Sequence, residues 1–225
     1  MKSTYAMIMA VRDADKYLEE ALESVFSQTL PASEIYVVDE FSTDRTLEII
    51  RTFGSQITLM SNSVGGMANA YNLVIPKVES DFITFLDGDD LWLSTKSEKQ
   101  IQFLKEHPDC DVVCCSVLNF TKASGDDKKY ESTREFAPSR LFTASTFRRD
   151  TFKKFGMLDL EAGHFGWLYD WWSKADDSGI RYGTINEVLF HRRIHETNSW
   201  IRNKELGNKT LIEIARRNIK RRSND

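Results

Sequence analysis

Phe82-Ile83-Thr84-Phe85-Leu86-Asp87-Gly88-Asp89-Asp90 is an apolar run that passes without a break into three carboxylates within four positions. β-Branched and aromatic residues of this kind form a strand that buries well. A strand ending in Asp87, Asp89 and Asp90 must either leave those charges in water or give them a cation. Successive side chains of an extended segment point to opposite faces, so Asp87 and Asp89 are expected on one side, placed to share a metal ion. Only oxygen is offered. That suits Mg2+ or Mn2+ rather than zinc, and a cation half-coordinated by protein is a clamp for a substrate phosphate. An acidic turn after a strand is the competing explanation, since Asp and Gly are common turn residues.

On the N-terminal side of this run, strand and helix patterns alternate, which predicts an α/β fold with a mostly parallel central sheet and helices on both faces. Tyr5 to Ala10 reads as the first strand. From Asp15 to Gln28, Tyr17, Leu18, Ala21, Leu22, Val25 and Phe26 form an apolar helical stripe. Glu34 to Val38 is then extended, Thr43 to Phe53 helical, Gln56 to Met60 extended and Gly66 to Val74 helical. In open sheets of this kind ligands bind beyond the carboxyl ends of the strands. Three polar clusters fall there: Arg12-Asp13, the stretch from Asp39 and Glu40 to Asp44, and the acidic triplet. They are expected to converge on one crevice. Asp39 has two explanations: a turn and helix cap with Ser42 and Thr43, or a carboxylate that accepts the N–H of a nucleobase.

The 225 residues suffice for one large domain or two small ones, and 41% hydrophobic content is that of a soluble globular chain. A formal net charge of -4 argues against a general nucleic-acid binder. No stretch approaches the roughly 20 apolar residues needed to cross a bilayer. Met1 to Arg12 lacks the apolar run of a signal peptide, so a cytoplasmic protein is expected. Cys110, Cys114 and Cys115 sit in or beside an apolar segment, 111–117, that reads as a buried strand. With no histidine or further cysteine at ligand spacing, they are expected to be structural thiols.

The segments 11–29 (Val-Arg-Asp-Ala-Asp-Lys-Tyr-Leu-Glu-Glu-Ala-Leu-Glu-Ser-Val-Phe-Ser-Gln-Thr), 34–46 (Glu-Ile-Tyr-Val-Val-Asp-Glu-Phe-Ser-Thr-Asp-Arg-Thr) and 85–90 (Phe-Leu-Asp-Gly-Asp-Asp) resemble, in order, the signatures of family 2 glycosyltransferases. The resemblance implies a GT-A fold, with a nucleotide-sugar-binding half at 1–95 and, in the same domain, a smaller C-terminal acceptor region, the acceptor-binding and catalytic half at 96–200, followed by a basic helix at 201–225. It implies an inverting transfer of a sugar, in the manner of a hexosyltransferase, from a nucleoside diphosphate donor, most often UDP-linked, to an acceptor hydroxyl, with a divalent metal, Mn2+ or Mg2+, on the diphosphate. On that resemblance Asp39 contacts the uracil, and Val11, Arg12, Asp13 and Glu40 line the base pocket. Asn72 and Gly88 lie toward the donor, and Asp87 and Asp89, the DxD pair, hold ribose and metal. Two departures stand out: Asp39-Glu40 where two aspartates are usual, and Ala70-Tyr71-Asn72 where Ala-Arg-Asn is usual, which removes a phosphate-side cation.

Beyond Asp90, Trp92 to Glu106 is expected to be helical, Ala123 to Glu135 a mobile loop, and Leu141 to Arg149 a strand. An inverting transfer needs a base for the acceptor proton and a counter-charge for the departing diphosphate. Asp170, in Gly166-Trp167-Leu168-Tyr169-Asp170-Trp171-Trp172, is the lone acid among aromatics at the start of a helical stretch. Desolvation there raises a carboxyl pKa toward a useful value, and the resemblance makes Asp170 the catalytic base, although a capping aspartate beside core tryptophans fits the same residues. Trp167 and Trp171 are candidates for stacking on a sugar acceptor. In Phe190-His191-Arg192-Arg193-Ile194-His195-Glu196-Thr197-Asn198-Ser199, the resemblance offers Arg193 and His195 to the diphosphate and His195 to the metal.

The tail, 202–225, has eight basic and three acidic residues with Leu206, Leu211, Ile214 and Ile219 interleaved. It is expected as a basic C-terminal helix packed on the domain; the other reading is peripheral contact with anionic lipid at the inner membrane face. The expected donor is a nucleotide sugar, and the acceptor a glycan, a lipid-linked sugar or a peptide. Two other functions compete: a nucleotide-sugar-binding relative without turnover, and a nucleotidyltransferase. The second would show a glycine-rich phosphate loop after the first strand, and Ala10 to Leu18 contains no glycine.

Overall fold

The computed structural model describes residues 3–124, 129–136, 138–196, 198 and 204–223. The first half alternates strictly: β1 (Tyr5–Val11), α1 (Leu18–Phe26), β2 (Glu34–Asp39), α2 (Thr46–Thr52), β3 (Thr58–Ser61), α3 (Met67–Val74), β4 (Phe82–Phe85). The second half runs β5 (Leu91–Trp92), α4 (Lys96–Glu106), β6 (Val112–Ser124), β7 (Lys129–Phe136), β8 (Ser145–Arg148), α5 (Thr151–Phe155), α6 (Gly163–Asp177), β9 (Tyr182–Arg193) and α7 (Lys204–Arg222). One sheet of nine strands carries both halves, in the order β3-β2-β1-β4-β8-β6-β9-β5, with β7 on β6.

β1 is apolar at every position because helices cover both of its faces. Ala6, Ile8 and Ala10 join Ile83, Phe85 and the residues of α3 and α6 in one core; Met7, Met9 and Val11 join α1 and Val37 in the other. Cys114 and Cys115 divide the same way, both buried and free. Burial pushes the Cys115 thiol up to about 11, so it packs as an inert apolar group.

The expected parallel sheet holds for β3-β2-β1-β4. Beyond β4 the sheet is mixed: β8 is antiparallel to β4 and β6, and only β6 and β9 pair in parallel. Three local expectations change. Leu91 and Trp92 form a short strand on His191 and Phe190, so the helix starts at Lys96. Residues 142–144 form a tight turn, and the strand is confined to Ser145–Arg148. The polar segment 123–135 is a hairpin arm rather than a loop, with 125–128 outside the described residues. β7 pairs β6 alone, and an edge strand can be highly charged because its outer side meets water and charge discourages edge pairing.

α7 packs on α6 as expected. Ile214 is buried, and a Cβ on Gly166 would lie 2.9 Å from both Ile214 and Thr210, so the glycine lets the two helices meet closely. Arg217 pairs with Asp159 at 3.1 Å, and Arg221 and Arg222 with Asp177 at 2.5 and 2.8 Å. Among the described residues no helix is long and apolar enough to cross a membrane.

Candidate active site

β4 stops at Phe85, and Asp90 N–H donates to the Asp87 carbonyl at 3.2 Å. The acidic triplet is therefore a turn, not an extension of the strand. That turn brings Asp90 in as well: carboxylate oxygens of Asp87, Asp89 and Asp90 lie within 4.8 Å of one another. Burial, and then the charge of Asp89, raise Asp87 to about 7, and the same two causes hold Asp90 well above the usual carboxylate range. Asp87 Oδ1 is sealed from solvent without a hydrogen-bond partner, and the equally sealed Tyr71 hydroxyl lies beside it. Three carboxyl groups this close, two of them pushed toward the protonated form and one with an orphaned oxygen, fit a hard divalent cation, which would favour their ionised forms and fill the missing bond.

Asp89 is oriented from the far end of the chain. Its Oδ2 lies 2.8 Å from His195 Nε2 and accepts the Asn198 amide at 3.0 Å. Asn198 Oδ1 in turn accepts His195 N–H at 2.7 Å, and the His195 ring packs on Tyr17 at 4.9 Å. His195 therefore stands at the acidic cluster. Thr197 and Ser199 lie outside the described residues.

Arg193 is close by but turned inward. It is only 5% exposed; its backbone N–H donates to Asp90 Oδ1 at 2.7 Å, Nε to the Asp89 carbonyl at 2.8 Å and Nη2 to Glu20 at 2.6 Å. Tyr17 and Phe120 receive its guanidinium at 4.4 and 4.5 Å. Its burial, and the use of Nε and Nη2 to tie α1 and β9 to the acidic turn, count against the expected diphosphate contact.

The first two polar clusters also converge. Val11 pairs with Asp39 in register, and Glu40 N–H donates to the Val11 carbonyl at 2.8 Å. Asp13 N–H donates to Ser42 Oγ at 3.0 Å, and Thr43 N–H returns a bond to Asp13 Oδ1 at 2.8 Å. Asp39, 5% exposed, receives only long 3.4 Å contacts from Ser42 N–H on its two oxygens. Glu40 accepts Asn62 at 2.8 Å, and Arg12 is exposed beside Asp13. Gly88 closes the group: a Cβ there would stand 3.0 Å from Val11 Cγ1. Val11, Arg12, Asp13, Asp39, Glu40, Asp87 and Gly88 thus share the carboxyl end of the sheet.

Four predicted residues do not join them. Both ends of the Asn72 amide clasp Leu158, donating to its carbonyl at 2.8 Å and accepting its N–H at 3.1 Å, which corrects the donor-side assignment. Trp167 and Trp171 are 7% and 1% exposed, edge-on to Phe142 and held in the core, so neither offers a face to an acceptor. Asp170 lies inside α6 rather than at its start, 1% exposed, with Oδ2 2.6 Å from Lys174 Nζ. It lines a cavity with Lys174, Arg217, Lys220 and Arg221 at the α6–α7 seam. Asn198, Tyr71 and Glu20 escaped the sequence reading as site residues. Asn198 lies in the turn after the basic stretch and Tyr71 where the family's usual arginine is replaced, whereas no local signal marks Glu20.

The chain matches the family described as Glycosyl transferase family 2 over residues 7–168. It is 29% identical over 210 residues to an uncharacterized glycosyltransferase of Rickettsia typhi, covering 85% of this chain and 64% of the relative. With an uncharacterized glycosyltransferase of Rickettsia prowazekii it shares 31% identity over 209 residues, 84% of this chain and again 64% of the relative. The chain therefore spans just under two thirds of these curated relatives. Among solved structures, Staphylococcus aureus TarS 1-349 in complex with UDP-GlcNAc superposes with a TM-score of 0.72 at 20% identity, covering 94% of this chain and 65% of that one. The mannosyltransferase PcManGT from Pyrobaculum calidifontis, in complex with GDP-Man and Mn2+, superposes at 0.72 with 18% identity, covering 96% and 65%. At such identities the likeness is one of fold.

Proposed function

Because the chain belongs to glycosyl transferase family 2 and has the GT-A fold, we propose that it is an inverting glycosyltransferase that moves a sugar from a nucleoside diphosphate, UDP first, to an acceptor hydroxyl. The observation that carries this is the cluster of Asp87, Asp89 and Asp90 with its orphaned oxygen at the carboxyl end of β4. Residues 1–95 form the donor half and 96–200 the acceptor half. Asp39 and Asp13 bound the nucleoside end of the crevice. Asp87 and Asp89 would hold a divalent cation, with His195 at its edge, and His195 and Asn198 keep Asp89 Oδ2 in place. When bound, the cation supplies positive charge for the departing diphosphate, a need sharpened here because Arg193 is committed elsewhere. The TarS and PcManGT complexes with UDP-GlcNAc and with GDP-Man and Mn2+ support a nucleotide-sugar donor.

Ligand-induced stabilisation tests the donor and the cation together. UDP at about 100 times its Kd, with Mn2+, is expected to stabilise the fold by about 2.7 kcal/mol, and EDTA to erase that shift. A shift undiminished in chelator would remove the cation from the site.

A second reading, a nucleotide-sugar-binding relative without turnover, is favoured by one observation: Asp170 is 1% exposed at the α6–α7 seam, away from the acidic turn's partners, and paired with Lys174. We take Asp170 as a structural partner of Lys174. Asp170→Asn is then expected to destabilise the fold by about 1–3 kcal/mol and to leave turnover within about tenfold. Turnover lost by about 10^3 or more, with donor binding and melting temperature intact, would make Asp170 the base after all. Turnover absent in the unaltered chain, with donor binding present, would establish the binding-only relative.

A further inference from the structure

Among the described residues, two side-chained positions have a left-handed backbone, Asp13 at φ 48° and Phe41 at φ 60°. Asp13 is short and polar, a type that tolerates this region, and its side chain is held by Thr43 N–H from the neighbouring loop. Phe41 has neither excuse. A bulky aromatic at positive φ is strained where glycine would be at ease. It also leaves its ring 55% exposed, forfeiting the burial that stabilises aromatics elsewhere in the chain. Strain and exposure together mark a side chain held for something outside the fold.

Its position says for what. Phe41 lies between Asp39-Glu40 and Ser42 in the loop beyond β2. The next loop, beyond β3, is tied to it by Asn62 N–H to the Asp39 carbonyl at 3.0 Å and by Asn62 Nδ2 to Glu40 at 2.8 Å. That second loop carries Val64, 76% exposed. Two exposed apolar side chains thus stand on adjacent, bonded loops beside Asp39, whose carboxylate has, among the described residues, only long contacts at 3.4 Å. The chemistry that matches is a flat heteroaromatic ring with N–H groups on its edge: faces for Phe41 and Val64, an edge for Asp39.

We propose that Phe41 is the stacking platform for the nucleobase of the donor and a determinant of donor affinity. The proposal rests on the nucleotide-sugar reading of this crevice. Base–aromatic stacking tolerates any base, because every base has a π-face. Phe41 then sets affinity, and Asp39 sets which base is preferred.

The test exploits two effects of opposite sign. Isothermal titration of the full chain with UDP and with GDP, in Mn2+, is compared with the melting temperature of the free protein. Phe41→Gly is expected to raise the melting temperature by about 2–4 °C through relief of strain, while weakening UDP and GDP alike by roughly tenfold, about 1.4 kcal/mol. Phe41→Leu keeps bulk and strain but lacks a π-face, and is expected to weaken both nucleotides with no gain in melting temperature. Phe41→Trp should restore or tighten binding. Unchanged nucleotide affinity in Phe41→Gly, beside clear binding by the unaltered chain, overturns the platform and leaves the donor reading standing. Failure of the unaltered chain to bind any nucleotide overturns both.

Discussion

Asp89→Asn should cut sugar transfer by about 10^2- to 10^3-fold, the range lost when one electrostatic group of a preorganised site is removed, while leaving the metal-free protein at least as stable as before. The two effects share one origin. Three carboxylates within 4.8 Å repel one another, and burial strengthens the repulsion. Asparagine removes the Asp89 charge, which opposes ionisation of Asp87 and Asp90, yet keeps the shape, and its carbonyl still accepts from His195 or Asn198 at the seat of Oδ2. The loss appears only when a cation is needed: the charge that would hold it is gone, and Mn2+ should no longer raise the melting temperature. Wild-type transfer rates in Asp89→Asn at ordinary Mn2+ would show that the acidic turn is structural and that the diphosphate is stabilised elsewhere.

Arg193→Ala should destabilise the fold by about 1–3 kcal/mol, because it removes a buried guanidinium that donates to the Asp89 carbonyl and to the part-exposed Glu20 carboxylate. For a chain of this size that is a fall of roughly 2–10 °C. Glu20 would lose its 2.6 Å partner, the Asp89 carbonyl its guanidinium donor, and Tyr17 and Phe120 the cation between them. Arg193→Lys should recover only part of the loss. A single ammonium cannot serve Glu20 and a carbonyl in two directions as a planar fork does. Chemical denaturation of the three proteins measures both effects. A loss below about 1 kcal/mol in Arg193→Ala would mean that Glu20 is satisfied by water. The acidic turn would then be held by the Arg193 backbone N–H, which alanine retains.

How far local pattern reached can be judged from individual residues. β1 follows from an unbroken apolar run, because a strand covered on both faces must be apolar at every position, and β2 and β4 follow from shorter, largely apolar stretches. The crevice follows from them, since polar residues directly after parallel strands stand at the open end of the sheet. Pattern failed at β7, whose charged residues resemble a loop because an edge strand needs no apolar face. It failed at Leu91 and Trp92, where pairing to His191 and Phe190 outweighed helical spacing.

The order of residues alone was enough for the alternating first half and for gathering Val11, Asp13, Asp39, Asp87 and Asp89 at one end of the sheet, because hydrophobic period and strand direction are local properties. Long-range packing assigned the roles of the rest. Arg193 faces Glu20 across 173 positions, Asn72 clasps a backbone 86 positions away, and Asp170 disappears under a helix that starts 34 residues later. A buried polar group takes whichever partner the fold delivers, since leaving it unpaired costs more than any preference written into its neighbours.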